Sequence, residues 1–162
     1  MTSALVSAVV DDWLAAAEDS FREVAATALA FRDVTSVARA ATAPAGLGGA
    51  YVQLMSEREL VVVGLCAAEV NLRHVSGALV GCSGADLSHA DVTDAVGEVV
   101  NMLAGGVKRR LVAAHPGLQL GLPLFIQGHL EPRERQQLRV GQLRWSPDSS
   151  AFVVVLHEPR AR

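Results

Sequence analysis

The stretch DAVGEVVNMLAGGVKRRL, residues 94–111, decides how this chain is read. Val96, Val99, Val100, Leu103, Val107 and Leu111 recur at steps of three and four, the spacing of one apolar face of a helix. Asp94, Glu98, Asn101, Gly105 and Lys108 form a second stripe, displaced around the same axis. A solvated face is the plain explanation of such a stripe, but two features do not fit it. Asn is a poor residue in a helix interior, because its amide competes with the backbone for hydrogen bonds. Gly97, Gly105 and Gly106 each weaken the helix by up to ~1 kcal/mol against Ala. Helix-weakening residues around an acid and an amide suggest a surface that something must approach closely.

Outward from this stretch, Ser88 suits an N-cap, Asp91 falls at the third helical position, and Leu87 and Val92 can pack as a staple. The helix runs to about Ala114, before HPG, and is roughly 35–40 Å long. Lys108, Arg109 and Arg110 cover its last turns, where cations suit the helix dipole. A shorter helix precedes it, from about Ala67 to Val80, stopped by Gly81 and Gly84. An N-terminal amphipathic helix spans about Ala4 to Arg32, with Val6, Val10, Trp13, Ala17, Phe21, Val24 and Ala28 on one face. Glu18, Asp19, Arg22 and Glu23 fall off that face.

Between the helices DVTSVARAA favours an extended strand, TAPAGLGG a loop, and AYVQLM and LVVVGL a hairpin around SERE. Three extended runs follow the long helix: LQLGLPLFIQG, QLRVGQLRW and AFVVVLHE, joined by HLEPRER and SPDSS. Consecutive strands on short links predict an α+β fold: a two-layer, mostly antiparallel sheet with long helices on one face. Residues 1–162 are expected to form a single domain.

Composition narrows the function. Hydrophobic residues make up 51% and charged residues 19%, which favours a folded globular chain over disorder. The net charge of -3 argues against nucleic acid as partner. The opening MTSALVSAVVDDWL lacks a basic n-region, and Asp11 and Asp12 interrupt its apolar run, so neither a signal peptide nor a membrane span fits and a cytoplasmic location is expected. Cys66, His74, Cys82 and His89 lack the short ligand pairs of zinc sites, so no metal is expected. Ser76, Ser83 and Ser88 sit in no nucleophile-elbow context.

Asp94, Glu98, Asn101 and Pro123 carry a resemblance. Their pattern is Asp or Ser, three residues, Glu, two residues, Asn, twenty-one residues, Pro. It is similar to the signature of the CheC/CheX family of chemotaxis phosphatases. The string GEVVNMLAGG adds Gly before the Glu, Met after the Asn and Gly four residues past it, as family members similarly have. Two-site members carry a second Glu-Asn pair on a related helix. Here Glu23 is followed three residues later by Ala26, so the chain resembles the single-site, CheX-like branch, whose members are similar to a homodimer. The C-terminal AFVVVLHE, with little edge protection, is a candidate for joining two sheets.

The resemblance implies a phosphatase of phosphorylated CheY-type receiver domains. The receiver supplies the aspartyl phosphate, its own Mg²⁺ and a Lys, so the phosphatase binds no cofactor. What it adds is a water held in line with phosphorus. By resemblance Asn101 orients that water through its amide, and Glu98 pairs with the receiver's Lys. Asp94, Gly105 and Lys108 are candidate partner-binding residues, and Pro123 is structural because proline donates nothing to a ladder. The alternative is a non-catalytic receiver-binding or scaffold module of the same fold. Whether the circuit is chemotaxis or another two-component pathway stays open.

Overall fold

The computed structural model describes residues 3–160, with side chains from residue 8 onward. Helix α1 (Ser3–Thr27) leads into strands β1 (Thr35–Ala40), β2 (Leu47–Met55) and β3 (Glu59–Ala67). Helices α2 (Glu69–Val80) and α3 (His89–Leu111) follow, separated by a 3₁₀ turn at Gly84–Asp86. Strands β4 (Gln119–Leu120), β5 (Leu124–Gly128), β6 (Gln137–Ser146) and β7 (Ser149–Pro159) complete the chain. The seven strands form one sheet in the order β1-β6-β7-β3-β2, with β4 and β5 both on the outer side of β2. Every pairing is antiparallel, so the expected α+β architecture is the one observed.

The helices cover one face of this sheet. Trp13, Leu14 and Phe21 of α1 and Val96, Val99, Val100 and Leu103 of α3 are fully buried over Val52, Val61, Val63, Val153 and Val155. Truncating one of these, Leu103→Ala for instance, costs about 2–5 kcal/mol. The opposite face carries a second apolar cluster of Tyr51, Cys66, Leu138, Val140 and Val154, with Ala43 and Leu130 packed among them. Strands buried on both faces read as continuous apolar runs, which is why LVVVGL and AFVVV do not alternate.

Five expectations change. Helix α1 ends at Thr27 instead of Arg32, because the Phe31 N–H bonds back to the Ala25 carbonyl at 2.9 Å and Ala30 takes φ 55°, a left-handed stop made without glycine. Leu47, Gly48 and Gly49, expected in a loop, open β2. A Cβ at Gly49 would fall 2.2 Å from the Leu65 carbonyl oxygen, so glycine lets the two strands close. Glu18 is not on a solvated side: it is 2% exposed, above Gly141, with Arg39 donating to both of its oxygens at 3.1 and 2.6 Å. The run LQLGLPLFIQG breaks into β4 and β5 at residues 121–123. Strand β7 pairs with β3 on one side and β6 on the other, so it has no free edge with which to join a second sheet. The open edges are β1 and the β4–β5 side. Of the predicted α1 face, Val6 lies outside the described side chains.

Candidate functional site

Both ends of α3 are fixed by polar contacts. At the start, the Ser88 Oγ accepts from the Asp91 N–H and the Asp91 carboxylate accepts from the Ser88 N–H at 2.8 Å, the capping box expected of these residues. The Ser88 hydroxyl also donates to that carboxylate at 2.6 Å, and this bond first, then the one from the Ser88 N–H, holds the Asp91 carboxyl below its usual range. At the other end, Arg109 and Arg110 each donate to Glu23 of α1, at 2.8 and 2.7 Å. Just beyond, His115 is hydrogen-bonded to Glu59, whose other oxygen lies 2.9 Å from His157 Nε2. Burial alone would raise the Glu59 carboxyl, but the bonds from His157 and His115 outweigh it and hold the group below its usual 4.5.

With α3 clamped and its valines buried, the polar stripe is turned away from the core. Asp94 and Glu98 are exposed, and Asn101, Gly105 and Lys108 are half-buried. Glu98 and Asn101 are separated by about 4.5 Å along the axis, and the stripe runs about 21 Å from Asp94 to Lys108. Among the described residues no hydrogen bond or ion pair engages the side chains of Asp94, Glu98, Asn101 or Lys108. The Asn101 amide therefore keeps an acceptor and two donors available, and Glu98 keeps its carboxylate oxygens.

Pro123 joins this stripe from another part of the chain. It lies in the link between β4 and β5, and its Cβ and Cγ are 3.7 Å from where a Gly97 side chain would begin. The link thus rests on the turn of α3 just before Glu98. Beside it Leu122 is 89% exposed and Leu124 63% exposed. These leucines escape a sequence reading, although their alternation with Leu120 in LGLPL is its trace. On the other flank, a groove of about 260 Å³ runs between α1 and α3, lined by Val24, Thr27, Met102, Gly105 and Arg109 among others.

The Cys and His residues set aside above do not converge. Cys66 is buried beside Tyr51, and burial pushes its thiol up to about 11. Cys82 is exposed, His74 lies against Phe31 and Trp145, and His89 meets the edge of Phe125. Among the described residues no group of three or more His, Cys, Asp or Glu is placed to hold a metal ion. None of their helices is long and apolar enough to cross a membrane. Ser83 and Ser88 act as caps, and Ser76 is buried with its hydroxyl directed at the Val92 carbonyl.

Solved structures share this fold. A CheC-like superfamily protein from Shewanella sp. PV-4 superposes with a TM-score of 0.77 at 17% identity, over 91% of this chain and 97% of that one. The chemotaxis protein CheX from Vibrio vulnificus gives 0.74 at 18% identity, over 90% and 99%. A chain of the CheX–CheY–BeF3–Mg²⁺ complex from Borrelia burgdorferi gives 0.69 at 16% identity, over 92% and 98%. No curated protein sequence matches significantly. The family model described as chemotaxis phosphatase CheX matches residues 49–141, more than half of the chain and the whole of the polar stripe with Pro123. On that match, the chain belongs to the chemotaxis phosphatase CheX family.

Proposed function

We propose that residues 1–162 form one phosphatase unit that accelerates loss of the aspartyl phosphate from a CheY-type receiver domain. The observation that carries this is the Glu98–Asn101 pair: unengaged within the chain, on the outward stripe of a clamped helix, in a family described as chemotaxis phosphatase. One carboxylate and one amide make neither a metal cage nor a nucleophile with its base. They suit a site whose other half belongs to the partner. The receiver brings the phosphoryl group, Mg²⁺ and a Lys. Asn101 holds a water in line with phosphorus, its amide oxygen accepting a hydrogen bond from the water and its NH₂ donating to the phosphoryl side. Glu98 pairs with the receiver's Lys and sets the register of the two proteins. Asp94 and Lys108 lie at the margins of that contact, and Pro123 supports α3 beneath it.

The unit acts in the cytoplasm as a homodimer, joined through one of the open sheet edges, β1 or the β4–β5 side. Light scattering at tens of micromolar tests the dimer. The catalytic reading is tested by decay of radiolabelled receiver phosphate with substoichiometric protein: repeated turnover is expected. Tight binding of the phosphorylated receiver without accelerated decay would replace it with a scaffold role.

A further inference from the structure

Three glycines interrupt α3, and close packing within the molecule requires only one of them. At Gly106 a Cβ would fall 2.8 Å from Ser20 Oγ and 2.9 Å from Ser20 Cβ, so glycine there lets α1 come close. At Gly97 it would meet Pro123 at 3.7 Å, an ordinary van der Waals contact beneath the β4–β5 link that leaves room for a Cβ. At Gly105 it would meet nothing within 4 Å. Gly105 lies within α3 and is not among the glycines of positive φ, so its backbone does not require glycine either. A helix interior disfavours glycine more than any residue but proline. Neither packing nor backbone conformation within the described chain calls for glycine at 105.

Gly105 lies one turn beyond Asn101 and seven residues past Glu98, on the same stripe. It forms part of the floor of the α1–α3 groove, between Val24 and Thr27 on one side and Met102 on its own helix, with the Glu23–Arg109 ion pair beside it. A missing Cβ matters only to a body that reaches van der Waals distance of the helix backbone. A long side chain arriving from a partner could step around an added methyl group, but a stretch of main chain could not.

Building on the receiver-phosphatase reading, we infer that Gly105 is a clearance residue. The receiver's main chain, in a loop flanking its phosphorylation site, lies over Gly105. The absent Cβ sets how deeply the receiver settles and so how near the Asn101 amide comes to the phosphoryl group. Gly105 is thus a positioning residue: it touches neither water nor phosphate, and it acts by permitting the approach. A displacement of about 1 Å at a reacting centre costs on the order of a hundredfold in rate.

The test uses the full chain with Gly105→Ala and Gly105→Leu, and Asn101→Ala in parallel. The probes are receiver domains from the same genome, labelled with acetyl phosphate for decay and held with beryllium fluoride and Mg²⁺ for binding. Both Gly105 variants are expected to melt at or above the wild-type temperature. Gly105→Ala should turn over several-fold more slowly and Gly105→Leu about a hundredfold, with receiver binding weakened in the same order. Asn101→Ala should lose turnover and keep binding. Wild-type turnover and binding in Gly105→Leu, beside an inactive Asn101→Ala, would overturn the clearance role and leave the proposed function standing. A lower melting temperature for Gly105→Ala would overturn it by revealing an internal need for glycine. A changed oligomeric state with unchanged receiver binding would overturn it by assigning the groove to a second copy of the chain. If no receiver binds or loses phosphate faster with the wild type, the proposed function falls, and the inference with it.

Discussion

Helices α1 and α3 pack against each other, and each carries a glutamate with a small residue three positions later: Glu23 with Ala26, Glu98 with Asn101. Glu23 is held by Arg109 and Arg110, and the Arg110 bond foremost keeps its carboxyl below the usual range. Its neighbours on α1 are similarly engaged, Glu18 by Arg39 and Arg22 by Asp19 and Ser36. Glu98 and Asn101 engage nothing in the described chain. Polar side chains that serve the fold find partners within it, and those left without partners on a rigid helix are the ones free to serve another molecule. The absence of an amide at position 26 and the capture of Glu23 agree with the proposed division, in which α1 supports and α3 acts.

The sharpest way to break this contrast is Asn101→Ala. Ala is the better helix former, so stability should hold or rise. Catalysed dephosphorylation should fall by about a hundredfold or more, to near the receiver's own rate, while binding persists. Stopped-flow decay over a concentration series measures both, and wild-type turnover in this variant would end the proposed mechanism.

Glu59→Gln should have the largest effect on the supporting side. It removes the carboxylate that joins the end of α3 to β7 through His115 and His157, at a cost of about 2 kcal/mol in a denaturant melt. The sign of the pH dependence follows from the lowered Glu59 carboxyl. Its contribution is fully present above the usual 4.5 and is lost as pH falls through the lower folded value. The wild type should therefore lose stability below pH 4.5, and the Gln variant should lack that part of the loss.

Glu98→Ala should raise the receiver concentration needed for half-maximal rate by roughly tenfold, as loss of an interfacial charge contact does, and recover toward wild type at saturation. An equal loss at saturating receiver would move Glu98 from docking into the chemistry. Ala26→Asn sharpens the comparison from the other side. It completes a Glu-x-x-Asn pair on α1, yet the rate should not change, because Glu23 is already engaged. Asp94→Ala should be the mildest, within about 0.5 kcal/mol in stability and little changed in turnover.

How far the structure is legible in the sequence depends on whether the cause is local. The start of α3 is legible because Ser88 and Asp91 write its capping box in four residues. The end of α1 is not, because its left-handed stop falls on Ala30, where no glycine announces it. Glu18 reads as surface, and only the fold brings Arg39 and Gly141 to it from β1 and β6. The strand order is likewise non-local. AFVVVLHE, Val-rich and with little edge protection, reads as a strand that could join a second sheet, whereas its unbroken apolar run fits the centre that it occupies. At the candidate site, the spacing of Asp94, Glu98 and Asn101 puts them on one stripe as periodicity requires. The contact of Pro123 with Gly97, the exposed Leu122 and the close approach of Ser20 to Gly106 all depend on what the rest of the chain brings near.

The central position of β7 bears on how the chain assembles. The β2–β3 and β6–β7 hairpins each close over a short turn, on a timescale of microseconds. Joining them is a different kind of step. Glu59 meets Pro159 and Cys66 meets Phe152, so the β3–β7 ladder closes a loop of roughly 90 residues. Such distant pairing slows folding. Until β7 arrives, β3 is a valine-rich strand with one bare edge, and α1 and α3 have no complete surface to cover. A sheet lacking β7 would expose that edge to aggregation, so the distant β3–β7 pairing is the step on which safe assembly depends.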